Sequence, residues 1–411
     1  MKVMKSTEQT AARFGALACL SLSMLLASLG TSIANIALPT LAVAFEAPFH
    51  QVQWIVIAYL VALTLFVVLA GRLGDLFGRR RMLLLGLVVF SLASALCGLA
   101  PSLWILVAAR AVQGIGSAFL MTLTIAMVRE TVNGGRAGRI MGLLATMSAV
   151  GTALGPSLGG LLIGLAGWPF VFFILVPIGL GAAGLAWWFL PSIAPGVTSP
   201  RRGFAALRET GVIPGMAANL LVANLMMATL LVGPFFLGFV LGLSPVSVGL
   251  VMSVGPVISI CIGVPSGYLV DFWGAQRVLL IGLVGLAIGA FALSILPMKS
   301  GIVGYIAAIA ILTPGYQMFQ SANNTMAMAN VPDAERGAVS GLLGLSRNLG
   351  LVGGASVMGA VFSFGAGAGS IEAAAPGAIG NGMQLTFMIA GASMVAALWI
   401  TRGLSRDVVE A

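Results

Sequence analysis

The sequence predicts an all-α membrane protein with twelve transmembrane helices in two pseudo-symmetric six-helix halves. Three observations carry that prediction. First, 59% of the 411 residues are hydrophobic and 8% are charged, whereas a soluble domain carries about 25% charged residues. That leaves too little polar surface to face water, so the solvent must largely be lipid. Second, twelve apolar stretches reach the length a membrane helix needs, roughly 20 residues. Third, markers in the first half of the chain return in the second at a nearly constant offset.

The apolar stretches centre on 14–38, 52–72, 82–100, 102–128, 139–165, 169–190, 212–240, 246–269, 276–297, 301–329, 338–364 and 383–401. The first, preceded by Lys2, Lys5 and Arg13, has the outline of a signal peptide. Eleven further spans make it an uncleaved first helix instead. Loops between even and odd spans, together with the two termini, hold Lys2, Lys5, Arg13, Arg72, Arg79, Arg80, Arg81, Arg129, Arg136, Arg139, Arg201, Arg202, Arg208, Arg277, Arg336, Arg402 and Arg406. The opposite side holds only Lys299. This asymmetry predicts the cytoplasmic (inner) membrane, with both termini in the cytoplasm. It also explains the net charge of +9 as topogenic. The cations are scattered through short loops rather than gathered on one face, so nucleic acid is not an expected partner.

Residues 191–210 form the one long break that combines Pro, Gly, Ser and cations. They are expected to link a first half, 1–190, to a second, 211–411. Gly71, Leu73, Asp75 and Gly78 recur as Gly267, Leu269, Asp271 and Gly274, 196 residues on. Gly142-Leu143-Leu144 recurs as Gly341-Leu342-Leu343, and Gly151 and Gly155 as Gly350 and Gly354, all 199 residues on. Loop and helix markers kept in step over that distance point to an internal duplication. The 55 glycines fit helices that pack backbone to backbone through small residues.

Catalytic and metal chemistry find little support. Cys19, Cys97 and Cys261 each lie inside an apolar run, and His50 is the sole histidine. Zinc, disulfide and Ser-His-Asp readings therefore fail. Gly155-Pro-Ser157-Leu-Gly159 matches a hydrolase elbow but sits inside an apolar helix without a preceding strand. Gly179-Leu-Gly181-Ala-Ala-Gly184 matches a dinucleotide loop with the same defect. No Walker-type loop occurs. The protein is expected to be no enzyme and to need no cofactor or metal.

The loop from Gly71 to Arg81, G-R-L-G-D-L-F-G-R-R-R, resembles the signature loop of the major facilitator superfamily at every position. Gly71 and Gly74 are expected to permit close helix approach and Gly78 a tight turn. The resemblance implies that Asp75, with Arg79 and Arg80, latches the two halves near the start of the eleventh span, and that Asp271 is its counterpart. The fourth span, L-V-A-A-R-A-V-Q-G-I-G-S-A, resembles the family's R-x-x-Q-G signature through Arg110, Gln113 and Gly114. Arg110 lies about eight residues in, ~12 Å deep, where arginine costs ~2.5–3.5 kcal/mol. That cost makes it a candidate substrate residue. The fifth span, G-T-A-L-G-P-S-L-G-G, resembles the signature of the exporter branches. Gly151, Gly155 and Gly159 form a packing face, and Pro156 is expected to bend the helix. The first span ends L-G-T-S-I-A-N-I-A-L-P, similar to the drug exporters' L-D-x-T-I-V-N-V-A-L-P. Asn35, Ala37, Leu38 and Pro39 match, and Gly30 replaces the acid. Trp54 and Tyr59 match an element of the second span.

The resemblance implies a secondary transporter on the major facilitator fold: a drug:proton antiporter that binds substrate near mid-membrane where the halves meet, by alternating access. Its expected partners are a small-molecule substrate, protons and the lipid bilayer, and it is expected to be a monomer. Candidate substrate contacts are Asn35, Trp54, Tyr59, Arg110, Gln113, Asn219, Asn224, Gln317 and Arg347, with Gln320, Asn323 and Asn324 as further polar positions. One departure stands out. All eleven acidic residues fall in loops, tails or helix ends, so a proton relay has no mid-membrane carboxylate. Arg110 and Arg347 are buried cations without a buried anion. That leaves open a transporter of an anionic metabolite, not necessarily proton-coupled, and, in another class, a receptor or assembly factor on a transporter scaffold.

Overall fold

A computed structural model of the protein describes residues 2–131, 137–191, 212–329, 331, 336–367 and 375–407. The expected linker lies almost wholly outside the described residues. Every described element is helical. Among the described residues eleven helices are long and apolar enough to cross a membrane. One of them, Ala275–Ala329, is two helices run together at Gly301, whose φ of 57° and ψ of −131° break the helical path. Residues 276–297 and 301–329 thus remain separate spans. The junction is continuous because glycine takes a positive φ at little cost.

The helices pack as two compact units. The first comprises Met1–Phe45 and Trp54–Ser199; the second comprises Glu46–Gln53 and Pro200–Ala411. In the first unit, α1 (Lys2–Ala44) packs chiefly on α6 (Ala137–Ala166), and α5 (Leu103–Thr131) lies against α3 (Trp54–Phe77) and α4 (Arg79–Gly98). The short α7 (Pro169–Phe173) leads into α8 (Leu175–Phe189), which packs on α1 and α4. In the second unit, α9 (Val212–Phe235) packs on α12 (Arg336–Gly353) and α14 (Pro376–Asp407). There α10 (Pro245–Trp273) pairs with α11 (Ala275–Ala329), and α13 (Gly359–Gly365) with α14. The one-turn α2 (Phe49–Val52) belongs to the second unit although it joins two helices of the first. Its Phe49 ring stands edge-on to Phe235 at 4.9 Å and to Phe362 at 5.0 Å. Such aromatic pairs add about 0.5–1.5 kcal/mol beyond their burial.

The internal repeat has a structural counterpart in each unit. Gly78 and Gly274 both take positive φ, 93° and 84°, at the turn after a long helix. Gly151 and Gly155 seat α6 on α1: a Cβ on Gly151 would lie 2.6 Å from the Leu25 carbonyl oxygen, and one on Gly155 would strike Ser32. Gly350 and Gly354 likewise seat the end of α12 on α9. There a Cβ on Gly354 would come 2.5 Å from the Asn224 carbonyl oxygen. A π-turn, Gly354–Met358, follows at the point where the first half has Pro156.

Candidate functional site

Arg110 is the largest side chain with no solvent exposure. Small residues on α5 bring its neighbours within reach. A Cβ on Gly114 would strike the Tyr59 backbone, and one on Gly116 would stand 2.8 Å from the Phe90 nitrogen, so α5 lies directly on α3 and α4. From there Nε of Arg110 donates to the Ile55 carbonyl at 3.1 Å, and Nη1 donates to the Gly30 carbonyl at 3.1 Å and to Oε1 of Gln113. The guanidinium stacks 4.1 Å above the Tyr59 ring. Gln113, one turn on, passes the chain outward from Nε2 to Ser94 Oγ at 2.6 Å. The Tyr59 hydroxyl lies 2.7 Å from Ser117 Oγ and 3.1 Å from the Ala27 carbonyl. Backbone carbonyls, an amide and a π-face thus do the work of a counter-ion. Nη2 alone has no partner. Ser94 and Ser117 complete this network and were not singled out from sequence. Their signal was a hydroxyl recurring inside apolar helices, which is common and nonspecific.

Arg110, Gln113 and Tyr59, named above as candidate substrate contacts, have no surface open to solvent in this structure. They are sealed inside the first unit, at 0% exposure. Asn35 is also buried. Its Nδ2 donates to the Thr31 and Ser32 carbonyls, at 3.0 and 3.3 Å, while its Oδ1 stays unpaired. Trp54, by contrast, is exposed at the start of α3.

The fifth-span signature meets the first-span ending directly. Ser28 Oγ lies 2.6 Å from Ser148 Oγ, and Ser32 Oγ donates to the Gly151 carbonyl at 3.2 Å. A Cβ on Gly159 would meet Ile36 at 2.5 Å. Three glycines four residues apart therefore hold two backbones together along two turns. Helix α6 runs on through Pro156 to Ala166.

In the charged loop, Arg79 donates to Asp75 Oδ1 from Nη2 at 2.8 Å and from Nε at 3.2 Å. Arg80 donates to the Trp187 carbonyl and lies 5.8 Å from that residue's ring. Gly74 opposes Leu123 as close approach requires, but a Cβ on Gly71 would meet nothing nearer than 3.6 Å. Gly71 is therefore not a close-approach position. The matched Gly267 is equally open. Asp271 sits near the end of α10, beside a shallow apolar depression lined by Tyr268, Phe272 and Trp273.

In the second unit, Asn219 ties α9 to α12. Its Nδ2 donates to the Leu343 carbonyl at 2.9 Å and lies 3.3 Å from Ser346 Oγ, which donates to the Met216 carbonyl at 2.8 Å. This is a helix-to-helix clamp. Asn219→Leu is expected to lower the melting temperature of the purified protein by a few degrees, in keeping with ~0.6 kcal/mol per interhelical bond in lipid. Asn224 keeps Oδ1 unpaired, and Asn323 keeps Nδ2 unpaired. Gln317 donates to the Ser259 carbonyl at 3.2 Å, Gln320 donates to the Tyr316 hydroxyl at 3.1 Å, and Asn324 is exposed. Arg347, expected to be buried like Arg110, is exposed. Among the described residues no group of His, Cys, Asp or Glu could hold a metal.

Residues 20–355 match the family model described as Major Facilitator Superfamily. The chain is 30% identical to the uncharacterized transporter YebQ of Escherichia coli, over 84% of this chain and 88% of that one. It is 30% identical to the multidrug efflux pump LfrA of Mycolicibacterium smegmatis (87% and 82% covered) and 28% identical to the riboflavin transporter RibZ of Clostridioides difficile (80% and 83%). Among solved structures, a bacterial homolog of the human lysosomal transporter Spinster, inward-facing and unoccupied, superposes with a TM-score of 0.81 at 18% identity. That match covers 97% of this chain and 98% of that one. A D-xylose-proton symporter superposes with a TM-score of 0.78 at 17% identity, covering 94% and 97%.

Proposed function

The chain belongs to the Major Facilitator Superfamily, and from that premise we propose that it exports small amphipathic organic compounds, drugs or metabolites, across the cytoplasmic membrane. The export proceeds by alternating access and in exchange for protons. The observation that supports export is the seating of Gly151, Gly155 and Gly159 on the Ser28-to-Ile36 stretch of α1. Two segments that resemble drug-exporter signatures meet there in one tight helix pair. A relative at 30% identity bears the name of a multidrug efflux pump, and another that of a riboflavin transporter. Both names are those of transporters of organic compounds.

The described spans contain two carboxylates, Asp75 and Asp271, both near span ends. Gly30 gives Arg110 a carbonyl where the resembled pattern has an acid. The proton relay of this reading runs through groups at the span ends and in the loops rather than through a mid-membrane carboxylate. Two measurements separate the parts. In a pump-deficient host, expression is expected to lower steady-state accumulation of several lipophilic dyes or organic acids at least threefold. Unchanged accumulation of every compound would favour a non-transporting scaffold. In everted vesicles, an imposed pH gradient is expected to drive uptake of an exported compound. Transport indifferent to the gradient would end the antiport half and leave export standing.

A further inference from the structure

Helix α12 carries three distinct faces within one span. At 3.6 residues per turn, Val339, Leu343, Ser346 and Gly350 fall together, and all are buried. This face is the one clamped to α9 through Asn219 and Ser346. Leu342, Leu345 and Leu349 form a second face, wholly apolar, with Leu349 exposed as a lipid-facing residue would be. The third face is Ser340, Gly344, Arg347 and Asn348, within an arc of about 100° that Leu351 closes one turn past Arg347. Its first three members are exposed. No other long described helix is as sharply amphipathic.

Arg347 lies eight residues past Val339, where the span begins, and so ~12 Å in. An arginine facing hydrocarbon there would cost ~2.5–3.5 kcal/mol, while an all-leucine face stands on the same helix to meet lipid. The polar stripe therefore faces water. Among the described residues Arg347 has no hydrogen bond or ion pair. Gly344, one turn before it, leaves open space where a side chain would stand. No carboxylate lies at this depth in any span. The contrast with Arg110 decides the matter. Arg110 is enclosed and given over to the fold, whereas Arg347 presents a full guanidinium fork to an aqueous face, and such a fork matches a planar carboxylate with two parallel hydrogen bonds.

We infer that Arg347 is a specificity-determining residue that recognises a carboxylate on the transported molecule, so that the preferred substrate is an amphipathic organic acid or zwitterion. The inference rests on the export reading above and narrows its substrate class.

Two dyes differing in one group test it. Rhodamine 110 carries a free carboxylate, and rhodamine 123 is its methyl ester. Everted vesicles containing wild-type protein are expected to take up rhodamine 110 at least tenfold faster than rhodamine 123. Arg347→Gln should erase that preference by slowing rhodamine 110 alone, and Arg347→Lys should keep part of it. Equal rates for both dyes in wild type, or an unchanged ratio in Arg347→Gln, overturn the inference while export stands. A wild type that moves neither dye contradicts the export reading itself and the inference with it. A readout independent of transport uses Cys261→Ala as background, since Cys19 and Cys97 are buried. Arg347→Cys is expected to react with a membrane-impermeant methanethiosulfonate, and Leu349→Cys to stay unmodified. A refractory Arg347→Cys would show that the stripe is dry and would overturn the assignment.

Discussion

Gly155→Leu is expected to abolish export and to lower the melting temperature of the purified protein by several degrees. A Cβ there would strike Ser32 Oγ and come 2.7 Å from Ser32 Cβ and 3.0 Å from the Ile33 nitrogen. The obstacle includes backbone, so no side-chain rotation relieves it. Overpacking of this kind costs about 1–3 kcal/mol, and four heavy atoms forced between two helices should reach the upper end. The helix pair would have to part, taking with it the bonds from Ser28 to Ser148 and from Ser32 to Gly151. Gly181→Leu is the control, because its Cβ position is empty within 4 Å. Thermal denaturation and dye export should both separate the two variants. Equal stability and equal export would mean that the α1–α6 seat is looser than its geometry indicates.

Arg110→Ala should lose export more than tenfold while shifting stability by a smaller margin than its burial suggests. Removing the side chain leaves the Gly30 and Ile55 carbonyls and Gln113 Oε1 without a donor, at about 1–3 kcal/mol for each buried group. It also relieves the ~2.5–3.5 kcal/mol of holding arginine in the membrane. The two effects oppose, so the net loss of stability is smaller than the unpaired groups alone would give. The arrangement of α1, α3 and α5 has no such compensation, since one guanidinium joins Gly30, Ile55 and Gln113 and stacks on Tyr59. Arg110→Lys is expected to fail as well, because a single ammonium cannot reproduce the planar fork over the ring. A fully active Arg110→Ala would show that this network is dispensable for transport.

Much of the fold was readable because membrane helices announce themselves by length and composition. The twelve stretches, the turns at Gly78 and Gly274 and the paired glycine faces depend on local features that a single chain records. What the sequence could not separate was Arg110 from Arg347. Both are deep cations in apolar helices, and depth alone made them equivalent. Exposure is decided by which neighbours a helix face meets. The polar stripe Ser340-Gly344-Arg347-Asn348 was present in the sequence as a period, but only the clamp from Asn219 shows which of the three faces is covered. Gly71 was overread for a related reason. A glycine matching a signature says that a side chain is absent, not what stands opposite. The placement of Glu46–Gln53 with the second unit was likewise hidden, since chain order assigns it to the first.

The most direct test of the central claim is uptake by proteoliposomes holding only the purified protein, with an acidic lumen, using an organic acid and a permanently charged lipophilic cation side by side. At least one compound is expected to accumulate above its equilibrium level, and that accumulation to be lost when an ionophore dissipates the gradient. Vesicles that take up neither compound beyond protein-free controls, under that gradient or any other, would contradict the claim.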